Sequence, residues 1–176
     1  MPPRTCMAAV ALLLAAFATS CDTDDDGDKS PAAPPTAANA ASPTGQLVEA
    51  LVRQLVDAIN RGDLEGAVAL FGEDASWERG GRCPPNQCKG RERIKSELQI
   101  DVRNNHRLTI ASSQAAGDTA TARIELQTEG TRMAGVTRII QIFTVSAADG
   151  RITAFRAEND LTDRVTADFV SPRRQQ

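Results

Sequence analysis

Residues 55–78 read LVDAINRGDLEGAVALFGEDASWE, and their reading decides the fold. Leu55, Val56 and Ile59 continue an apolar series that starts with Leu47, Val48, Leu51 and Val52. Steps of three and four residues mark an amphipathic helix, expected from Gln46 with Thr44 as its N-cap. Asn60-Arg61-Gly62 ends it. Asp63 then caps a second helix over roughly Leu64–Phe71, with Glu65 placed in the first turn where the helix dipole favours a carboxylate. The ASWE that follows reads as a short strand.

Downstream, a Gly/Pro-rich loop spans Arg79–Lys89 and a third helix covers about Arg91–Gln99. Four β-rich runs complete the pattern: HRLTIASSQ (106–114), TATARIELQT (119–128), VTRIIQIFTV (136–145) and RITAFRAEND (151–160). Gly117-Asp118 and Asp149-Gly150 are hairpin signals, and Gly130 to Gly135 joins the middle pair. Strands in series with short connections predict an antiparallel meander. Helices first and strands after is the α+β pattern. Alternation on the second run sends Ala122, Ile124 and Leu126 to one face and Arg123, Glu125 and Gln127 to the other.

Upstream, residues 1–20 follow the secretory pattern, with Arg4 ahead of a 13-residue apolar run, Cys6–Ala18, that is too short to span a bilayer. Two cleavage readings compete. Ala16-Phe17-Ala18 forms a signal-peptidase site. Ala18-Thr19-Ser20-Cys21 resembles a bacterial lipobox, which implies lipidation of Cys21. Asp22, Asp24, Asp26 and Gly27 then copy the opening of a calcium-binding EF-hand loop. The twelfth position, which needs a bidentate carboxylate, is Ala33, and the Pro/Ala-rich stretch beyond cannot supply a flanking helix. Residues 21–45 therefore read as a solvated tether, with a coil span on the order of 25–30 Å. The folded domain is expected over 46–163 and a tail over 164–176.

The chain has 176 residues and a formal net charge of −3. Residues 45–176 hold 18 basic and 18 acidic side chains and are neutral. A neutral domain without a basic stripe is poorly suited to nucleic acid. With Cys6 removed and Cys21 lipidated, Cys83 and Cys88 are the remaining thiols, and in an exported protein a disulfide between them is expected. A zinc site would need two further ligands, and His106 is the one imidazole. No metal or cofactor is expected.

The stretches LVDAINRGDLEGAVALFGEDASWE, GRERIKSEL (90–98), AAGDTATARIEL (115–126) and AADGRITAFRAEND (147–160) resemble the SnoaL-like branch of the nuclear transport factor two superfamily. The resemblance covers about Gln46–Asp160. It implies helices packed in a strongly curved antiparallel sheet, a cone with a pocket. Members include isomerases, dehydratases, epoxide hydrolases and polyketide cyclases, and many others are binding or assembly modules.

The ketosteroid-isomerase oxyanion hole needs a Tyr, and the chain has none. Polyketide cyclases of this kind pair an Asp with a His, which makes His106 and Asp160 the catalytic candidates. The polar neighbours Asn104, Asn105 and Arg107 favour a solvent-facing strand end for His106. The epoxide-hydrolase set of Asp, Arg and Asp with Tyr and Asn is echoed by Arg123-Ile124-Glu125 and Asn159-Asp160. The first acid is a Glu, however, and that strand face should point outward. Asp160 is also a candidate pocket or rim residue. Trp77 reads as core, with a ligand platform as its alternative.

The leading expectation is a lipid-anchored, extracytoplasmic binding or accessory module of the bacterial envelope with a small apolar ligand. A cofactor-independent isomerase, dehydratase or cyclase using Asp160 and His106 is the alternative. The third is a homodimerising module using a convex sheet face around Arg123, Glu125 and Gln141.

Overall fold

The computed structural model describes residues 42–171. The signal-peptide segment, Cys21, the acidic run and the end of the tail lie outside them. Among the described residues no helix is long and apolar enough to cross a membrane.

Helix α1 (Pro43–Arg61) begins three residues before the expected start. Ser42, not Thr44, is its cap: the hydroxyl accepts from Gly45 N, and Pro43 sits at a first-turn position that needs no N–H. Val48, Leu51, Val52, Leu55, Val56 and Ile59 are all buried, whereas Leu47, the first residue of the expected stripe, is exposed. Gly62 closes the helix at φ 71°, with its N–H on Ile59 O and that of Asp63 on Ala58 O. Only glycine adopts this left-handed backbone without strain. Asp63 caps α2 (Leu64–Ala69) through Gly66 N at 2.8 Å. A Cβ on Gly66 would meet Asp63 Oδ2 at 2.1 Å, so the cap and the glycine require each other.

The Asn60 side chain pairs with a strand backbone far along the chain. Its Nδ2 donates to Leu108 O at 2.8 Å, and its Oδ1 accepts from Leu108 N at 2.9 Å. The Asn-x-Gly-Asp turn is thus a stop, a cap and a latch in four residues.

Strand β1 (Phe71–Arg79) is longer than ASWE. Helix α3 (Arg91–Arg103) outruns its expected end at Gln99 by four residues. Strands β2 (Arg107–Ala116), β3 (Thr119–Gln127), β4 (Ile139–Ala148) and β5 (Arg151–Asn159) form the meander, with the short helix α4 (Glu129–Met133) between β3 and β4. The sheet order is β1-β5-β4-β3-β2. The expected all-antiparallel sheet is corrected at one edge: β1 lies parallel to β5, with Trp77 opposite Phe155. A parallel partner needs a long crossover, and α3 with the meander supplies it. Two register breaks are bulges, one with Ala111 of β2 as the extra residue and one with Thr153 of β5, and they bend and twist the strands. The sheet curves around the helices.

On β3, Ala120, Ala122, Ile124 and Leu126 are buried, and the residues between them are not. Gln141 is a correction. Register pairs it with Ile124 and Asn159, so it shares the inner apolar face and is 7% exposed, away from the convex surface where Arg123 and Glu125 stand. The segment read as a tail starts with a helix, α5 (Arg164–Val170), capped by Asp163. It docks on β4 through Thr166 Oγ1, which accepts from Ile140 N at 2.7 Å.

Candidate functional site

Trp77 is 1% exposed and stacks on Phe155 with ring centroids 4.1 Å apart. Phe71 lies 5.8 Å from Trp77, and Phe143 lies 4.9 Å from Phe155. Four of the six aromatic residues in the chain thus meet at the β1–β5–β4 junction. Trp77 is core, and its Nε1 has no partner there.

Two residues further along β1, Arg79 opens a buried polar cluster. Its Nη1 donates to both Asp101 oxygens, at 2.5 and 2.6 Å. The Arg82 Nη2 is 3.5 Å from Asp101 Oδ1, and its Nε is 3.5 Å from Glu97 Oε2. Arg93 reaches Glu97 from one helical turn away, at 3.2 Å. His106 is a correction to the solvent-facing expectation: it is 8% exposed. Its backbone N–H donates to Asp101 O at 3.1 Å, and its Nδ1 stands 3.2 Å from Asp101 Oδ1. That side-chain contact has ion-pair proximity without the alignment of a hydrogen bond, so Nδ1 counts among the buried atoms lacking one. Burial pushes the Asp101 carboxyl up, but His106 and Arg79 together outweigh it and hold the group below the ordinary aspartate range.

Cys83 and Cys88 are joined by a disulfide, as expected. The loop they close returns alongside β1: Arg79 and Cys83 exchange both backbone hydrogen bonds, and Trp77 N donates to Cys88 O at 2.9 Å. Both sulfurs and a Glu97 oxygen lie within 4.8 Å of one another. The sulfurs are committed to each other and Glu97 to two arginines, so the trio is no metal centre in this state. Replacing both cysteines by serine is expected to cost about 2 kcal/mol by loop-entropy scaling for so short a ring. Urea unfolding of the two proteins, with and without reductant, measures it. Equal midpoints throughout would show the bridge contributes nothing.

An open cleft of about 620 Å³ lies where β1 ends and β5 runs on. Arg79, Gln141 and Asn159 line it from the sheet, Pro84 and Pro85 from the disulfide loop, and Leu161 from beyond β5. Gln141 Nε2 donates to Asn159 Oδ1 at 3.0 Å, while Gln141 Oε1 is buried without a partner. Glu78 and Glu158 offset Arg79 and Arg156 in the lining, which leaves its formal charge at zero.

Asp160 is elsewhere. Its Oδ2 pairs with Arg123 at 3.1 Å, and its Oδ1 accepts from the Thr162 hydroxyl and from Thr162 N at 3.0 Å. The Thr162 hydroxyl, against the opposing effect of burial and with help from Thr162 N–H and Arg123, keeps its carboxyl low. Glu125 pairs with Arg138 at 3.4 Å. The structure therefore gives Asp160 and His106 separate partners, and neither lines the cleft. Arg79, Glu97, Asp101 and Gln141 were not singled out for the site by sequence. The available signal was the i, i+4, i+7 spacing that puts Ile94, Leu98 and Asp101 on one side of α3.

A curved mixed sheet enclosing helices, with a polar-floored cleft at one end, defines a fold of the nuclear transport factor two type. The profile of the SnoaL-like domain matches residues 52–155, and the chain belongs to that family. No curated protein matches it in sequence. Solved structures do match in shape. An LEH-like epoxide hydrolase of Mycobacterium tuberculosis superposes with TM-score 0.57 at 17% identity, covering 72% of this chain and 93% of its own. A candidate ketosteroid isomerase from Kribbella flavida gives 0.54 at 19%, covering 66% and 79%. A de novo designed protein with a curved β-sheet gives 0.54 at 15%, covering 70% and 94%. That enzymes and a designed scaffold match equally well means the likeness speaks for the fold alone.

Proposed function

We propose that this chain is an exported, lipid-anchored SnoaL-like module that binds a small amphipathic molecule in the cleft between the disulfide loop and β5. The observation that carries the reading is the cleft itself, which combines apolar walls with the unpartnered carbonyl of Gln141. Concave, partly apolar sites with a few convergent polar groups are where small ligands bind.

An isomerase, dehydratase or cyclase reading, suggested by the enzymes of similar shape, needs an acid–base pair facing one cavity. Asp160 and His106 do not supply it, because each is held by its own partners and neither lines the cleft. Asp101 is a depressed carboxylate engaged with Arg79, and such a group is a weak base.

Protein-detected NMR with a library of small neutral probes tests binding. Perturbation concentrated at Ala157, Asn159, Leu161 and the Pro84–Pro85 loop is the expected result. Probes that shift no cleft residue would overturn the proposal. The anchoring part rests on Cys21 and the tether. Intact-mass analysis of the native protein should find a chain beginning at Cys21 with added lipid, and a start at Thr19 without lipid would refute it.

A further inference from the structure

We propose that the group recognised in this cleft is a neutral amide-like edge, an N–H beside a C=O as in a lactam or a carboxamide, seated on the Gln141–Asn159 pair. The inference rests on the reading of the cleft as a ligand site and names the ligand's polar end.

The pair itself sets the chemistry. Gln141 on β4 and Asn159 on β5 are register partners on one face, and one hydrogen bond of 3.0 Å joins them. Each terminal amide has one carbonyl oxygen and one NH₂. Joining two such groups by one bond leaves one carbonyl and spare N–H hydrogens. Turning both amides over exchanges the roles and leaves the same complement. Here the spare carbonyl is Gln141 Oε1, buried and unpartnered. The spare donor is Asn159 Nδ2, on a residue exposed at the mouth. An acceptor in the floor beside a donor at the rim is the mirror of an amide edge. The terminal torsion of Gln is broad, so Oε1 can turn toward an arriving N–H.

Charge decides between a neutral and an ionic ligand. Arg79 is held by Asp101 and Arg156 by Glu158, so neither cation in the lining is unpaired. A carboxylate would find no uncompensated positive charge and would face the Gln141 carbonyl. An ammonium group seated on the pair would meet the Arg79 guanidinium, while Glu78, the lining carboxylate with no ion pair, is the register partner of Arg156 on the other strand face. A neutral N–H donor meets neither objection, and it satisfies an acceptor whose isolation is otherwise unfavourable. The remainder of the ligand would lie against Pro84, Pro85, Leu161 and Val170.

The experiment compares matched probes on the full chain by NMR titration: caprolactam, N-methylcaprolactam, which lacks the donor, and cyclohexanecarboxylate, which is charged. Caprolactam should bind roughly fivefold tighter than its N-methyl analogue, in keeping with one hydrogen bond to a buried acceptor. In Gln141→Leu that preference should vanish. Equal binding of the two lactams would overturn the amide edge and leave the cleft as a ligand site. Preference for cyclohexanecarboxylate would overturn its neutrality. No perturbation by any probe would remove the cleft reading and this inference with it. Should Gln141→Leu fail to fold, the wild-type comparison decides alone.

Discussion

Replacing Trp77 by alanine is expected to lower the unfolding free energy by about 3–5 kcal/mol, the range for deleting a large buried aromatic. Trp77 is the largest fully buried side chain, and it ties β1 to β5 through Phe155. No single neighbour can refill the space, because Phe71 is held on the same strand, β1, and Phe155 on the adjacent β5. Trp77→Phe should cost less, since most of the stacked area survives and the unpartnered Nε1 disappears with the indole. Urea unfolding of the three proteins gives the comparison. A loss under about 1 kcal/mol for Trp77→Ala would mean that the aromatic cluster is not the centre of the core.

Asp101→Asn is the second large effect. The substitution keeps the shape and removes the charge that faces Arg79, whose side chain is 13% exposed. Breaking one partner of a buried pair costs about 3–5 kcal/mol, because the other charge is left uncompensated. The sign of the pH dependence follows from the depressed carboxyl. Its stabilising contribution is complete above the unfolded aspartate value of about 3.9 and is lost as the pH falls through the lower folded value. The gap between wild type and Asp101→Asn should therefore be wide at neutral pH and should narrow in acid. Taking the difference between the two proteins cancels Asp160 and Asp163, whose carboxyls are also held low. Denaturant titrations at neutral and acid pH check it; a gap independent of pH would show that Asp101 does not carry this charge.

The local rules written into the chain were readable. The stripe from Val48 to Ile59, the Asp63 cap, the two hairpins and the alternation on β3 each follow from period or turn chemistry over a few residues. What escaped was long-range. Nothing near ASWE reveals that Trp77 will lie beside Phe155, because a parallel pair is specified by the packing of distant segments. Gln141 sits in the run IIQIF, where apolar residues on both sides erase the alternation. Ile140 is buried on its own face because α5 covers β4 there. Nothing in the sequence marks Asp101 and Glu97 as buried, since carboxylates seldom occupy a core stripe unless paired. Their partners Arg79 and Arg82 lie before the disulfide loop, and only the folded chain brings them to α3. His106 follows the same logic: its polar neighbours describe the turn, while Asp101 determines where the ring goes.

The parallel pairing of β1 with β5 also bears on how the domain acquires its structure. The first strand to leave the ribosome finds its place only beside the last. Until Arg151–Asn159 has emerged, Phe71 and Trp77 have no sheet to join, and loop closure across the intervening chain must precede any reward. The domain is built to assemble late and as a unit. A chain with this design remains open for longer, and a truncation that removes β5 strands the residues at the centre of its core.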